Sequence, residues 1–318
     1  MTSRSRHLVD PELFVALEMM PDFSLDETRL AELRAGMDTL IPPLESFACD
    51  DVAIERQWID VPGGRQVEVQ LFRPAAPQAA PIPAFLHMHG GGYVLGNATQ
   101  SAPGNIRTAR ELGCLVASVE YGLAPETSGT GAVEQCHAAL LWLAANAGTL
   151  GIDPARIAVG GESAGGGLAA ALALLARDRG GVQPCFQLLI YPMIDDRTGA
   201  GDDHHPFTGE YVWTRDANQF GWRSLLGESD PADPRGHVVP ARAADLAGLP
   251  PAYISVGTLD LFLEEDLDYA RRLMRVGVPV ELHVFPGAFH GFELAAEANV
   301  SQRAEAERRH ALGRAFSA

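Results

Sequence analysis

The chain has 318 residues, is 47% hydrophobic, and carries 41 acidic residues against 24 basic ones, a net charge of −17. That balance argues against a nucleic-acid or anionic-membrane partner, since both need basic surface. All the basic residues are arginine, which excludes lysine chemistry: no Schiff base, no Ser–Lys dyad, no phosphate-binding Walker lysine. Cys49, Cys114, Cys136 and Cys185 are scattered without a C-x-x-C pair, so neither a zinc knuckle nor a redox dithiol is expected. With no secretory h-region near the start and no apolar run of the ~20 residues a span needs, the expectation is a soluble cytoplasmic protein.

Two helical stretches open the chain. Pro11 follows Asp10 at a helix start, with Leu13, Leu17 and Met20 at helical spacing; Ser24 to Leu40 carries Leu30, Leu33 and Met37 on one face. Ile54–Val61 and Gln66–Phe72 alternate as strands around a Pro62-Gly63-Gly64 turn. Strands are then read at 82–88, 114–120, 156–160, 185–190, 251–256 and 279–285, with helices near 100–112, 131–147, 164–178, 263–276 and 300–316. Such alternation predicts an α/β fold: a mostly parallel eight-stranded sheet flanked by helices, with an antiparallel hairpin at one edge. Residues 195–226 break the rhythm with Asp, Gly, His and aromatic residues and read as an irregular lid or binding segment.

Gly161-Glu162-Ser163-Ala164-Gly165 lies between an apolar strand and an Ala/Leu-rich helix. This is the G-x-S-x-G elbow in the strand–turn–helix context that exposes a nucleophilic serine. A plain turn is the competing reading, so the other parts of a serine hydrolase decide. His290, in the loop after the last strand, is the candidate base. His87, His89 and His283 sit on strands and His137 on a helix, where packing roles are commoner. His204 and His205 fall in the lid segment, and His7, His237 and His310 lack a motif. Asp260 follows strand 251–256 and supplies the orienting carboxylate; Asp266 and Asp268 read as solvated helix residues. The order Ser163, Asp260, His290 is that of α/β-hydrolases. His89-Gly90-Gly91-Gly92 after strand 82–88 offers backbone N–H groups to an oxyanion, with Ala164 N–H beside them.

Together these residues resemble the hormone-sensitive-lipase-like family of α/β-hydrolases, bacterial esterase family IV. The resemblance rests on His89-Gly90-Gly91-Gly92-Tyr93, Tyr121-Gly122-Leu123-Ala124-Pro125-Glu126, Gly161 to Gly166, Tyr191-Pro192, Asp260 and His290-Gly291-Phe292. It implies a short-chain carboxylesterase that needs no cofactor or metal and acts on small-molecule esters. The implied oxyanion hole is Gly91, Gly92 and Ala164. The implied organisation is N-terminal cap helices over 1–50 and a catalytic domain over 51–318 with a cap insertion at about 195–226. A homodimer through the sheet edge is also implied. Tyr93, Phe14, Phe207 and Trp213, with Phe23, are the expected pocket residues. Amidase chemistry by the same triad, and a non-catalytic receptor of the same fold, are the alternatives.

One stretch departs from the family pattern. Gly122 stands where the family carries Arg, and Thr127-Ser128-Gly129-Thr130-Gly131 replaces a proline-bearing turn. Loss of a multi-donor anchor and of proline predicts a looser, less stable loop, which restoring Gly122→Arg with nearby prolines should stabilise.

Overall fold

A computed structural model describes residues 3–19, 25–76, 81–201, 204–227 and 236–317. Met20, Phe23 and Ser24 lie outside the described residues. The strands are β1 (Val52–Val61), β2 (Arg65–Pro74), β3 (Ile82–Met88), β4 (Leu115–Val119), β5 (Ile152–Glu162), β6 (Phe186–Ile190), β7 (Ala252–Gly257) and β8 (Val280–Phe285). They form one sheet in the order β1-β2-β4-β3-β5-β6-β7-β8. The β1–β2 hairpin and the β2–β4 pairing are antiparallel, and every other pairing is parallel. This is the predicted α/β-hydrolase sheet with its antiparallel edge.

The helices are α1 (Phe14–Met19), α2 (Leu30–Leu40), α3 (Ala102–Leu112), α4 (Gly131–Ala145), α5 (Ala147–Leu150), α6 (Ala164–Arg179), α7 (Arg215–Leu226), α8 (Leu263–Arg275) and α9 (Asn299–Ser317). Helix α6 is buried continuously from Ala164 to Ala176. Its Ala, Gly and Leu composition is what a helix needs to pack on both a sheet and a neighbouring helix at once.

From β3 the chain passes to β4 on one side, then crosses over β3 to β5 on the other. That reversal opens a crevice at the carboxyl ends of β3 and β5, the position where open α/β sheets bind ligands. The loop after β3 and the serine after β5 meet there.

Two sequence readings are corrected. The 195–226 stretch is not irregular throughout: its second half is α7, capped by the Thr214 hydroxyl accepting from Ala217 N–H at 3.3 Å. Ala217, Phe220, Gly221 and Leu225 turn one face inward at helical spacing, a periodicity masked by the polar residues between them. Asp266 is not a solvated helix residue but fully buried in α8, with neither carboxyl oxygen hydrogen-bonded among the described residues. Burial first, then the nearby Glu265 and Asp260 charges, push its carboxyl well above the usual range. Asp268 is exposed and paired with Arg271, as read.

Candidate active site

Strand β5 ends at Glu162 and α6 begins at Ala164, so Ser163 alone makes the turn, with φ 57° and ψ −120°. Gly161 and Gly165 permit it: a Cβ on either would lie 2.0 Å from Met88 O at the end of β3. Ser163 is pinned by its N–H donating to Ile190 O at 2.9 Å and its carbonyl accepting from Met193 N–H at 3.0 Å. Ser163, Tyr93, Tyr191 and Val212 are the non-glycine residues with positive φ among those described. Ser163 and Tyr191 are both at the triad, Tyr191 meeting His290, and such backbone strain is typical of functional sites.

Ser163 Oγ lies 2.9 Å from His290 Nε2, and His290 Nδ1 lies 2.8 Å from Asp260 Oδ2. Phe262 N–H donates to Asp260 Oδ1 at 3.0 Å, fixing the carboxylate from its other side. All three side chains are buried. Tyr191 and Phe262 meet the imidazole edge-on with ring centroids at 4.7 and 5.2 Å, which leaves the ring little room to rotate.

His87, His89, His137, His237 and His283 have partners of their own. His87 lies between Ser118 Oγ and Glu162, each at 3.0 Å. His89 stacks on Tyr121 at 4.2 Å, and burial holds it neutral, down at about 4. His283 pairs with Glu281, His237 with Asp178 and His137 with Arg179. Burial raises the Glu162 carboxyl, but His87 and Arg308 outweigh it and hold the group at about 2.

Gly91 (φ 129°) and Gly92 (φ 59°) curl the loop after β3 beside the serine. Among the described residues nothing accepts from their N–H groups. Ala164 N–H, first in α6, is one of the helix-start donors that have no partner within the helix. Gly91, Gly92 and Ala164 thus each keep an uncommitted N–H, two in the loop after β3 and one in the residue that follows Ser163. The loop is tethered at both ends: Tyr121 OH donates to His89 O at 2.7 Å and Tyr93 OH to Met193 O at 2.6 Å.

The four expected pocket residues divide. Trp213 is brought to the site, its ring centroid 6.3 Å from that of His290 and its edge against Gly92. Tyr93 differs from the expected pocket lining: it is 2% exposed, and its hydroxyl is committed to Met193 O. Phe14 lies under the Arg6 guanidinium, and Phe207 meets His7 and His205 edge-on. Both are half-buried and pack on the core to which β7 and β8 contribute. Asn218 was missed by sequence reading; it is fully buried and accepts from Trp213 Nε1–H at 3.2 Å, fixing the indole.

The loop after β4 is held by contacts of its own small residues. Thr127 fills the space beside Gly122: a Cβ there would lie 2.2 Å from Thr127 Oγ1. Gly122 N–H donates to Gln135 Oε1 at 2.6 Å and Gly129 N–H to Leu225 O at 2.7 Å. Small residues let this loop pack closely, and a side chain at position 122 would need Thr127 to move.

A family model described as alpha/beta hydrolase fold matches residues 85–294. Esterase LipI of Mycobacterium tuberculosis is 33% identical over 303 residues, covering 92% of this chain and 90% of that protein. Among solved structures, a bacterial heroin esterase is 44% identical with a TM-score of 0.90, covering 98% of each chain. Esterase LipW from Mycobacterium marinum is 35% identical with a TM-score of 0.89, covering 99% of this chain and 98% of that one. With that likeness running through the sheet, the elbow and the loops around it, the chain belongs to the hormone-sensitive-lipase-like family of α/β-hydrolases and is a carboxylic ester hydrolase.

Proposed function

We propose that Ser163 is the nucleophile, His290 the general base and acid, and Asp260 the carboxylate that orients it, acting on short-chain acyl esters of small alcohols. The unbroken relay of 2.9 and 2.8 Å contacts from serine to imidazole to carboxylate carries this reading. Asp260 accepts Nδ1–H, which leaves Nε2 free to take the serine proton as Oγ attacks the ester carbonyl. The N–H groups of Gly91, Gly92 and Ala164 receive the negative charge that develops on the carbonyl oxygen, each contributing about 3 kcal/mol by analogy with measured oxyanion holes. His290 returns the proton to the leaving alcohol and an acyl-Ser163 ester remains. A water molecule, deprotonated by His290, attacks that ester; the acid departs and Ser163 recovers its proton.

Trp213 forms the wall against the acyl group, supported by its place between Gly92 and His290. The N-terminal helices and the 195–226 segment act together as the cap. Glu210 of that segment accepts from the backbone N–H of Arg4 and Ser5 at 3.0 and 2.8 Å, which favours one body over two. Amide hydrolysis is the second reading, because the same triad attacks both acyl groups and leaving-group protonation decides between them. The receptor reading is disfavoured by a complete triad.

No helix among the described residues is long and apolar enough to cross a membrane, and the four cysteines are free thiols, which favours a reducing compartment. The exposed edge at β8 is the candidate face for a homodimer. The testing experiment is a chain-length series of p-nitrophenyl esters with matched anilides, run on the wild type and Ser163→Ala. Highest turnover on acetyl and butyryl esters, little on anilides and none by the variant is expected. Turnover by Ser163→Ala at the wild-type rate would sink the assignment.

A further inference from the structure

Helix α2 turns Leu30, Leu33, Arg34 and Met37 to one side, at positions i, i+3, i+4 and i+7. The three apolar residues pack against the main core. Arg34 uses the same face for polar contacts: Nε–H donates to Val94 O at 2.8 Å and Nη2–H to Ala124 O at 2.7 Å. Its pairing with Glu126, at 2.8 Å, faces a carboxylate whose side chain is 65% exposed, and such a pair contributes little. The two carbonyl contacts are the more informative. They need a planar, permanently charged fork, and they join the loop after β3 to the loop after β4.

The Val94 carbonyl has a particular place. It belongs to the peptide unit whose N–H, that of Leu95, donates to Gly91 O at 2.8 Å. Gly91 O in turn belongs to the peptide unit whose N–H is that of Gly92. A guanidinium, two peptide units in series and an uncommitted N–H therefore form one hydrogen-bonded line, each N–H donating to the carbonyl of the next unit. Hydrogen bonds in such a chain polarise one another, and a cation at the far end strengthens the donor at the near end. The line also fixes the tilt of the Gly91–Gly92 peptide, on which the aim of its N–H depends.

We propose that Arg34, supplied by the N-terminal helix, is a positioning residue for the oxyanion hole: through Leu95 N–H and Gly91 O it orients and polarises Gly92 N–H. The inference rests on the assignment of Gly92 as an oxyanion donor. Because that donor matters most once charge has developed on the carbonyl oxygen, Arg34 acts on the transition state more than on the bound ester.

The test compares Arg34→Met, which keeps the aliphatic stem against the core, and Arg34→Lys, which keeps a charge but on a single donor nitrogen, with the wild type. Rates on p-nitrophenyl butyrate are expressed per active site titrated with a fluorophosphonate, so unfolded protein does not enter. Inhibition by an aryl trifluoromethyl ketone, whose adduct carries an oxyanion, is measured alongside. Arg34→Met is expected to lose on the order of 10-fold in kcat with KM little changed, less than deletion of a donor costs. Ketone affinity should fall in parallel, and Arg34→Lys should recover part of both. A variant that melts earlier yet keeps wild-type kcat and ketone affinity per site would overturn the inference and leave Arg34 a structural contact. If the wild type neither reacts with the fluorophosphonate nor turns over the ester, it is the esterase mechanism that fails instead. Should Arg34→Met not fold, Arg34→Lys decides alone, since wild-type kcat and ketone affinity in it would contradict the need for two fixed carbonyl contacts.

Discussion

The indole edge of Trp213 occupies the space over Gly92: a Cβ on residue 92 would lie 2.0 Å from Trp213 Cη2 and 2.4 Å from Cζ2. The residue proposed to offer an oxyanion donor and the residue proposed to wall the acyl side are thus in contact, and neither can change size alone. Gly92 also has φ 59°, which penalises any side chain. Gly92→Ala is expected to lower kcat on p-nitrophenyl butyrate by roughly 100-fold, the scale of losing one oxyanion donor. Steady-state kinetics at matched folded concentration check this.

Trp213→Ala should open the acyl side while leaving the donors in place. The expected outcome is a rise in kcat/KM for octanoate relative to butyrate on the order of 10-fold, the scale of filling or emptying part of an apolar pocket. An unchanged chain-length profile would remove Trp213 from the acyl wall.

Gly122→Arg is expected to lower the melting temperature, because the new side chain meets Thr127 Oγ1, Cβ and Cγ2 at 2.2, 2.9 and 3.2 Å. Thr127→Gly removes those atoms, so the double variant should recover much of the loss, a non-additivity expected of residues in contact. Differential scanning calorimetry of the single and double variants reads both effects. The multi-donor arginine missing at position 122 has a counterpart in Arg34, which grips Ala124 O in this same loop from α2.

Glu120 gives a pH dependence with a defined sign. Its carboxylate accepts from Ala98 N–H at 2.7 Å. Burial foremost, with the Glu68 and Asp38 charges adding, raises it from 4.5 to about 7. The folded state therefore holds this proton more tightly than the unfolded chain. Stability is lost as pH rises between those two values and stays lost above them. Glu162 and Glu210, both held at about 2, act with the opposite sign and in a lower window. Glu120→Gln keeps the acceptor for Ala98 without the charge. It should melt a few degrees above the wild type near about pH 8 and coincide with it near about pH 4.

Much of this site could be read from the sequence because its parts sit where strands end. Ser163 follows β5, Asp260 follows β7, His290 follows β8 and the glycines follow β3, so strand periodicity and Gly spacing located each without tertiary information. What escaped depends on how faces turn. Asp266 lies within an acidic run that suggests solvent, yet the helix turn carrying Glu265, Asp266 and Tyr269 faces inward. Tyr93 follows the glycine run and suggested a pocket lining, but its ring is buried and its hydroxyl donates to Met193 O. Arg34 has no motif around it. Its importance comes from Val94 and Ala124, about 60 and 90 residues along the chain, brought to α2 only by folding.

The proposed function stands on Ser163 being a nucleophile activated by His290 and Asp260. Its most direct test is the site and rate of covalent labelling by a fluorophosphonate, read by peptide mass spectrometry on the wild type and on His290→Ala. The account predicts one adduct per chain on Ser163, with labelling in His290→Ala slowed by on the order of 1,000-fold or more, as expected when the activating base is removed. An adduct on another residue, or wild-type labelling of Ser163 without His290, would contradict it.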